Sequence, residues 1–269
     1  MSRLFIAALA CAFLTQCRSP SVTASSARSA PVLLAIFAHP DDEASVSAVL
    51  AKYAATGARV HLAIATDGRL GVNAHAGIPA GDELAAVRAR ESQCAAEKLG
   101  IEAPVLFGLH DQMKMGEGLA RYGEQVVELR KRVTQLFAEL QPDAVITWGP
   151  SGWTGHPDHR MVSAVVTEVF QSRQWERPRQ LFYPAVPTGK VPANNPFQLA
   201  TVDPRFLPVR VSVSTQDYEK AKTSWLCHQS QYTAEQIEQM HQSRIDSLAG
   251  TTYFQPVVPA TRKSDSLFR

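Results

Sequence analysis

Apolar positions in this chain come in blocks whose period switches between that of a buried strand and that of a helix. Val32-Leu33-Leu34-Ala35-Ile36-Phe37-Ala38 is an unbroken apolar run, which predicts a strand buried on both faces of a sheet. Asp42–Thr56 is alanine-rich and helix-prone, and Gly57 stops it. Val60–Ala65 predicts a second strand, Thr66–Asp82 a long glycine-containing loop, and Glu83–Leu99 a helix closed by Gly100. A short strand follows at Val105–Phe107, then a loop rich in Met and Gly, then an amphipathic helix over Tyr122–Leu140. Ala144–Trp148 predicts a fourth strand, Gly149–Asp158 a loop and His159–Gln171 a helix. This βαβαβαβα order predicts an α/β, Rossmann-like fold, with a mainly parallel sheet and helices on both faces. Beyond it, Gly189–Pro208 reads as an irregular excursion, Val209–Val213 as a late edge strand, and Thr215–Leu226 and Thr233–Leu248 as helices. One domain is expected over residues 31–250, with a C-terminal tail over 251–269.

Composition narrows the partners. The chain has 269 residues, 45% hydrophobic and 19% charged, enough for a sizeable core. Its formal net charge is +2 with no basic run, which argues against a nucleic-acid partner. The start of the chain reads as a targeting segment, with Arg3 before the short apolar stretch Leu4–Leu14. Leu14-Thr15-Gln16-Cys17 resembles a bacterial lipobox in which Cys17 is lipidated, although Gln16 stands where a small residue is usual. Ordinary cleavage after Ala24 or Ala27 fits as well. Residues 1–17 are thus expected as a signal peptide and 18–30 as a Ser/Ala/Thr-rich tether. Export to a bacterial periplasm or envelope follows, with membrane contact only through a lipid on Cys17. Cys94 and Cys227 could pair, but they fall in helical segments and the sequence does not show them close, so two buried free thiols are the preferred expectation.

The chemistry gathers at two strand ends. His39-Pro40-Asp41-Asp42-Glu43 follows the first strand, and His156-Pro157-Asp158-His159 follows the fourth. Either segment alone is readable as a proline turn with an aspartate cap. Two copies at two strand ends are better explained by a site. In a 3-2-1-4 strand order the first and fourth strands are neighbours, and ligands bind in the crevice at their carboxyl ends. His39, Asp42 and His159 then supply two imidazoles and a carboxylate, the donor set of a catalytic zinc site with one position open. Another divalent transition metal would also suit it. Asp41 is the natural general base for a bound water. His156 is placed to hold an oxyanion and protonate a leaving nitrogen, and Asp158 to orient His156. His61 reads as a core histidine, His75 and His110 as loop residues, and Trp148 and Trp153 as packing or sugar-stacking rings. The first strand ends without a Gly-x-Gly-x-x-Gly fingerprint, which disfavours a dinucleotide site.

These motifs resemble the signature of the PIG-L / LmbE family of zinc-dependent N-acetylglucosaminyl deacetylases. Ala65-Thr66-Asp67-Gly68, Arg88-Ala89-Arg90-Glu91 and His228-Gln229-Ser230-Gln231 are similar to further elements of it. The resemblance implies the same metal ligands and base, an N-acetylated sugar or glycoconjugate as substrate, and substrate-binding roles for Arg88 and Asp111. On the residues alone, Arg88 could instead pair with Glu91 on a helix surface and Asp111 could be a plain loop residue. Arg69 stands where many relatives carry an acidic residue, and Thr154 where some carry a tyrosine. A non-catalytic carbohydrate-binding envelope protein on the same fold is the alternative reading.

Overall fold

The computed structural model describes residues 1, 30–191, 199–260 and 262–268. The expected leader except Met1, including Cys17, and all of the tether except Ala30 lie outside the described residues. β1 (Val32–Phe37) is buried at every position, and its side chains alternate between two cores. Leu33, Ala35 and Phe37 face one cluster, and Leu34, Ile36 and Ala38 the other, which is why the run has no polar position. α1 (Ser47–Ala55) packs on the first face, preceded by a short 3-10 turn over Asp42–Ser45. β2 (Arg59–Thr66), α2 (Asp82–Leu99) and β3 (Val105–Leu109) follow. α3 (Leu119–Leu140) then places Leu129, Val133, Leu136 and Phe137 on the second face. β4 (Ala144–Thr147) leads to α4 (Pro157–Gln171), whose Val162, Val165, Val166 and Val169 share that second core.

The first four strands pair in parallel in the order β3-β2-β1-β4, as the crevice argument requires. The sheet then continues through β5 (Leu181–Pro187), β8 (Thr251–Pro256) and β7 (Val209–Ser212), with a two-residue β6 (Thr201–Val202) beside β5. β5 is parallel to β4, whereas β8 is antiparallel to both β5 and β7. α5 (Thr215–Trp225) and α6 (Ala234–Leu248) each begin with a capping box, from Ser214 and Thr233. Among the described residues no helix is long and apolar enough to cross a membrane.

Three expectations are corrected. Residues 251–268 do not trail the domain: β8 lies inside the sheet, and Phe254 and Leu267 are buried in the first core. β5 has no counterpart in the sequence reading, because Pro184 and Pro187 interrupt its pattern. Cys94 and Cys227 are not free thiols. They form a disulfide with a Cα–Cα distance of 5.8 Å, tying α2 to the end of α5, two helices that pack on each other.

Candidate active site

Both histidine–aspartate segments leave the sheet at the carboxyl ends of adjacent strands, β1 and β4. The chain turns sharply after β1, and Asp41 takes a left-handed conformation with φ 101°. This is a costly backbone for a non-glycine residue. It is held by the Asp41 N–H donating to a Glu43 carboxylate oxygen. At the second segment the helix starts earlier than the sequence suggested, at Pro157, with His156 as N-cap. Proline fits the first helical turn because it has no N–H to leave unpaired.

Three donor atoms converge. Asp42 Oδ2 accepts from the backbone N–H groups of Ala38 and His39 at 3.0 and 2.9 Å and from Trp148 Nε1 at 3.2 Å. That leaves Oδ1 3.2 Å from His159 Nε2. His159 Nδ1 donates to the carbonyl of Gly152 at 3.0 Å, so the lone pair of the neutral ring sits on Nε2. The His159 ring stacks on Trp148, centroids 4.8 Å apart and planes at 15°. His39 Nδ1 lies 3.1 Å from His159 Nε2. On its far side, His39 Nε2 faces Asp158 Oδ2 at 3.1 Å and Asp111 Oδ1 at 3.3 Å, the carboxylate–histidine support typical of metal ligands.

The electrostatics ask for a cation. Burial alone would lower the His39 imidazole, but hydrogen bonds to Asp111 and Asp158 and the charge of Asp42 push it up to about 10. Burial would raise Asp42, yet the charge and hydrogen bond of His159 hold it well below the usual carboxylate range. Burial would likewise raise Asp111, but its bond to His39 keeps it low. A proton is thus drawn onto His39 by surplus negative charge. The fit to a metal ion can be tested on the donors: ligands about 2.0–2.1 Å from a tetrahedral ion stand roughly 3.3–3.4 Å apart. His39 Nδ1 and Asp42 Oδ1 stand 3.1 and 3.2 Å from His159 Nε2, close to that spacing, and His39 Nδ1 stands 3.7 Å from Asp42 Oδ2. Asp158 Oδ1, buried and unpartnered, adds negative charge behind His39.

The remaining expected residues are placed as follows. Asp41 is partly buried beside Arg88, whose Nη2 donates to Asp41 Oδ1 at 3.2 Å and to the Pro40 carbonyl, while Nη1 donates to the Gly68 carbonyl at 2.9 Å. Arg88 therefore makes no surface pair with Glu91, which accepts from the N–H and hydroxyl of Ser230 instead. Burial raises the Asp41 carboxyl, and the Arg88 charge opposes that rise. His156 Nδ1 accepts from the Asp158 N–H at 3.2 Å. Burial and the neighbouring His39 and His159 lower its imidazole. The Asp158 carboxylate does not orient His156, as the sequence reading had it. It turns to His39 and to the Gln112 N–H, and only the backbone of Asp158 reaches His156. Asp111 is buried, accepts from the N–H groups of Leu70 and Gln112, and supports His39.

Two cavities of about 270 Å³ each meet at this cluster. One is polar, bordered by Arg88, Asp111, Gln112, His156 and Gln231. The other is largely apolar, bordered by Trp148, Trp153, Val186, Trp225 and Leu248. Asp41, Asp42, His159 and Tyr232 border both. Tyr232 escaped the sequence reading. Its only signal is that it directly follows His228-Gln229-Ser230-Gln231. The Asp41 charge and burial push its hydroxyl above the usual phenol range. Arg69 is occupied by Asp67 and Asp82, at 2.7 and 2.9 Å. Thr154 borders the apolar cavity. His75 bonds the Gln229 carbonyl, and neither it nor His110 borders either cavity.

A family model described as GlcNAc-PI de-N-acetylase matches residues 34–170. A 1D-myo-inositol 2-acetamido-2-deoxy-alpha-D-glucopyranoside deacetylase of Mycolicibacterium vanbaalenii is 32% identical over 161 residues, covering 55% of this chain and 57% of that protein. The chain thus spans little more than half the length of that relative. Among solved structures, the N,N'-diacetylchitobiose deacetylase of Pyrococcus horikoshii superposes with TM-score 0.63 at 20% identity, over 85% of this chain and 84% of the other. The 4-carboxy-2-hydroxymuconate hydratase GalB of Pseudomonas putida KT2440 superposes with TM-score 0.62 at 16% identity, over 86% and 98%. At these identities the two structures establish the fold, which hosts more than one reaction.

Proposed function

Because the chain belongs to the PIG-L family of GlcNAc-PI de-N-acetylases, we propose that it is a metal-dependent N-deacetylase of an N-acetylglucosamine-type sugar or glycoconjugate. The reaction adds water across the amide and yields acetate and the free amine. The observation that carries this reading is the convergence of His39 Nδ1, Asp42 Oδ1 and His159 Nε2, with partly buried Asp41 bordering the same two cavities. A hydrolase of this type needs that combination.

His39, Asp42 and His159 hold the ion. Zinc suits the set best, and other divalent transition metals are compatible. Once bound, the metal polarises the amide carbonyl and acidifies water at the open position. Asp41 takes the proton of the attacking water. Its raised carboxyl brings it closer to the operating pH, where a general base is most effective. Arg88 keeps that carboxyl ionised and fixes its direction. His156 has Nδ1 engaged by a backbone N–H, so its neutral form carries the proton on Nε2. It offers that N–H as a hydrogen bond to the charge developing on the carbonyl oxygen, and the proton that Asp41 has taken from water passes to the leaving nitrogen. Arg88, Asp111, Gln112 and Gln231 give the polar cavity the donors and acceptors that sugar hydroxyls require.

Export to a bacterial periplasm or envelope belongs to the same proposal, with or without a lipid on Cys17. The Cys94–Cys227 disulfide supports it, because disulfides persist in oxidising compartments. The decisive measurement is acetate release from N-acetylglucosamine derivatives by zinc-loaded protein, set beside Asp41→Asn. Release by the parent and not by the variant is expected. Equal release by both, or metal-free protein with full activity, would refute the reading.

A further inference from the structure

An amide held at the metal donors has two ends, and the site has two cavities. The end on nitrogen is the sugar, and the polar cavity bordered by Arg88, Asp111, Gln112 and Gln231 suits its hydroxyls. The end on carbon must then enter the cavity on the other side of Asp41, Asp42 and His159. An acetyl group would put a single methyl there. The cavity instead extends to about 270 Å³ along Trp153, Val186, Trp225, Met240 and Leu248, far more than a methyl fills. Lys190 and Arg244 also border it. Arg244 is engaged by the carbonyls of Ala44 and Ser45 and lies over the Trp225 ring, and although Ser243 and Ser247 also border the cavity its lining surface is mainly apolar. A pocket of this size that opens on a reacting centre and is lined by rings and aliphatic chains is built to desolvate a hydrocarbon.

Building on the N-deacetylase reading, we propose that this cavity is an acyl-chain pocket. The preferred substrate is then an amino sugar whose nitrogen bears an unbranched acyl chain longer than acetyl, with octanoyl as a representative. Water adds to the acyl carbon, the C–N bond breaks, the nitrogen leaves as the protonated amine, and the chain leaves as a carboxylate. The sugar keeps its place in the polar cavity, and only the carbon side of the amide changes.

The test is a series of N-acylglucosamines, acetyl, butyryl, hexanoyl and octanoyl, incubated with zinc-loaded full-length protein, with the free amine quantified. Full burial of each methylene predicts a rise in kcat/KM of about fourfold per CH₂ until the pocket is filled. Met240→Trp, which narrows the pocket, should collapse the octanoyl-to-acetyl ratio. A rate that falls with chain length overturns the proposal while leaving the deacetylase reading intact. So does a preference for the octyl glycoside of N-acetylglucosamine over the N-octanoyl sugar, because the chain would then enter from the sugar side. No amine from any member of the series overturns both.

Discussion

His228 Nε2 lies 2.6 Å from Glu43 Oε1, and both side chains are sealed from solvent, at 1% and 0% exposure. Glu43 Oε2 meanwhile accepts the N–H of Asp41, the residue forced into a left-handed backbone. His228 therefore anchors the carboxylate that holds Asp41, the proposed general base, in its strained conformation. The link runs from the His228-Gln229-Ser230-Gln231 element across to the end of β1. Glu43 is the bridge between them.

Removing His228 should therefore cost more than one hydrogen bond. His228→Leu leaves Glu43 buried without a counter-charge, a loss of about 3–5 kcal/mol by the usual behaviour of broken buried pairs. Burial alone would lower the His228 imidazole, but the charge and hydrogen bond of Glu43 raise it above its ordinary 6.5. The stabilisation is then fully present below that ordinary value and drains as pH climbs through the raised folded value. Thermal melts from pH 6 upward should show stability falling with pH in the parent. A double variant Glu43→Gln/His228→Gln should lose that slope. A parallel slope in the double variant would sink the assignment.

Arg88 tunes the same base from the other side. Burial raises the Asp41 carboxyl and the Arg88 guanidinium restrains it. In Arg88→Met the restraint is gone, so Asp41 stays protonated to higher pH. The acid limb of the kcat/KM profile should move upward, and turnover should fall about 10- to 100-fold, the usual cost of losing a supporting partner. Melting curves on the same variant separate this from misfolding. An acid limb that does not move would show that Arg88 serves only to hold the Pro40 and Gly68 carbonyls.

Metal binding has a readout independent of activity. Protein stripped with a chelator should melt earlier and regain stability on zinc addition, by about 2.7 kcal/mol at a hundred times the dissociation constant. His39→Ala and His159→Ala should lose that response, and Asp41→Asn should keep it. A zinc-induced shift that survives His159→Ala would move the ion to the other side of His39, where His39, Asp111 and Asp158 also offer donor atoms close enough to hold one.

Much of this site was legible in the sequence because its signals are local. The unbroken run before His39 announced a doubly buried strand, and the alternating order implied that strands one and four would be neighbours. That neighbourhood brought His159 to Asp42 across more than a hundred residues. What stayed hidden depends on partners far along the chain. Pro184 masked β5. In the fold it falls after the last pairing with β4 at Phe182 and before the first with β6 at Val186, so no N–H is missed on that edge. β8 was hidden because its burial alternates, with Thr252 and Phe254 inward, and so gave no apolar run. The turn of Asp158 toward His39 required knowing where the Gln112 N–H would stand. Glu43 could not be given a partner until His228 was in place.

The disulfide extends the same dependence on the late element. Cys227 immediately precedes His228, and its bond to Cys94 fixes the start of that segment to α2. Farther along, Ser230 is held by Glu91 of the same helix, and Gln231 donates to the Gly71 carbonyl. The bridge closes a separation of 133 residues, so its loss widens the unfolded ensemble considerably. Reduction, or Cys94→Ser/Cys227→Ser, should cost about 2–4 kcal/mol of stability, seen as a lower melting temperature. The zinc-dependent stabilisation should survive, because the proposed metal donors come from the ends of β1 and β4. Turnover should drop more than metal affinity does, because His228, which bonds Glu43, and Tyr232, which borders both cavities with Asp41, sit on the released segment. A reduced protein that keeps full turnover while losing zinc would invert this order and disconnect the bridge from the base.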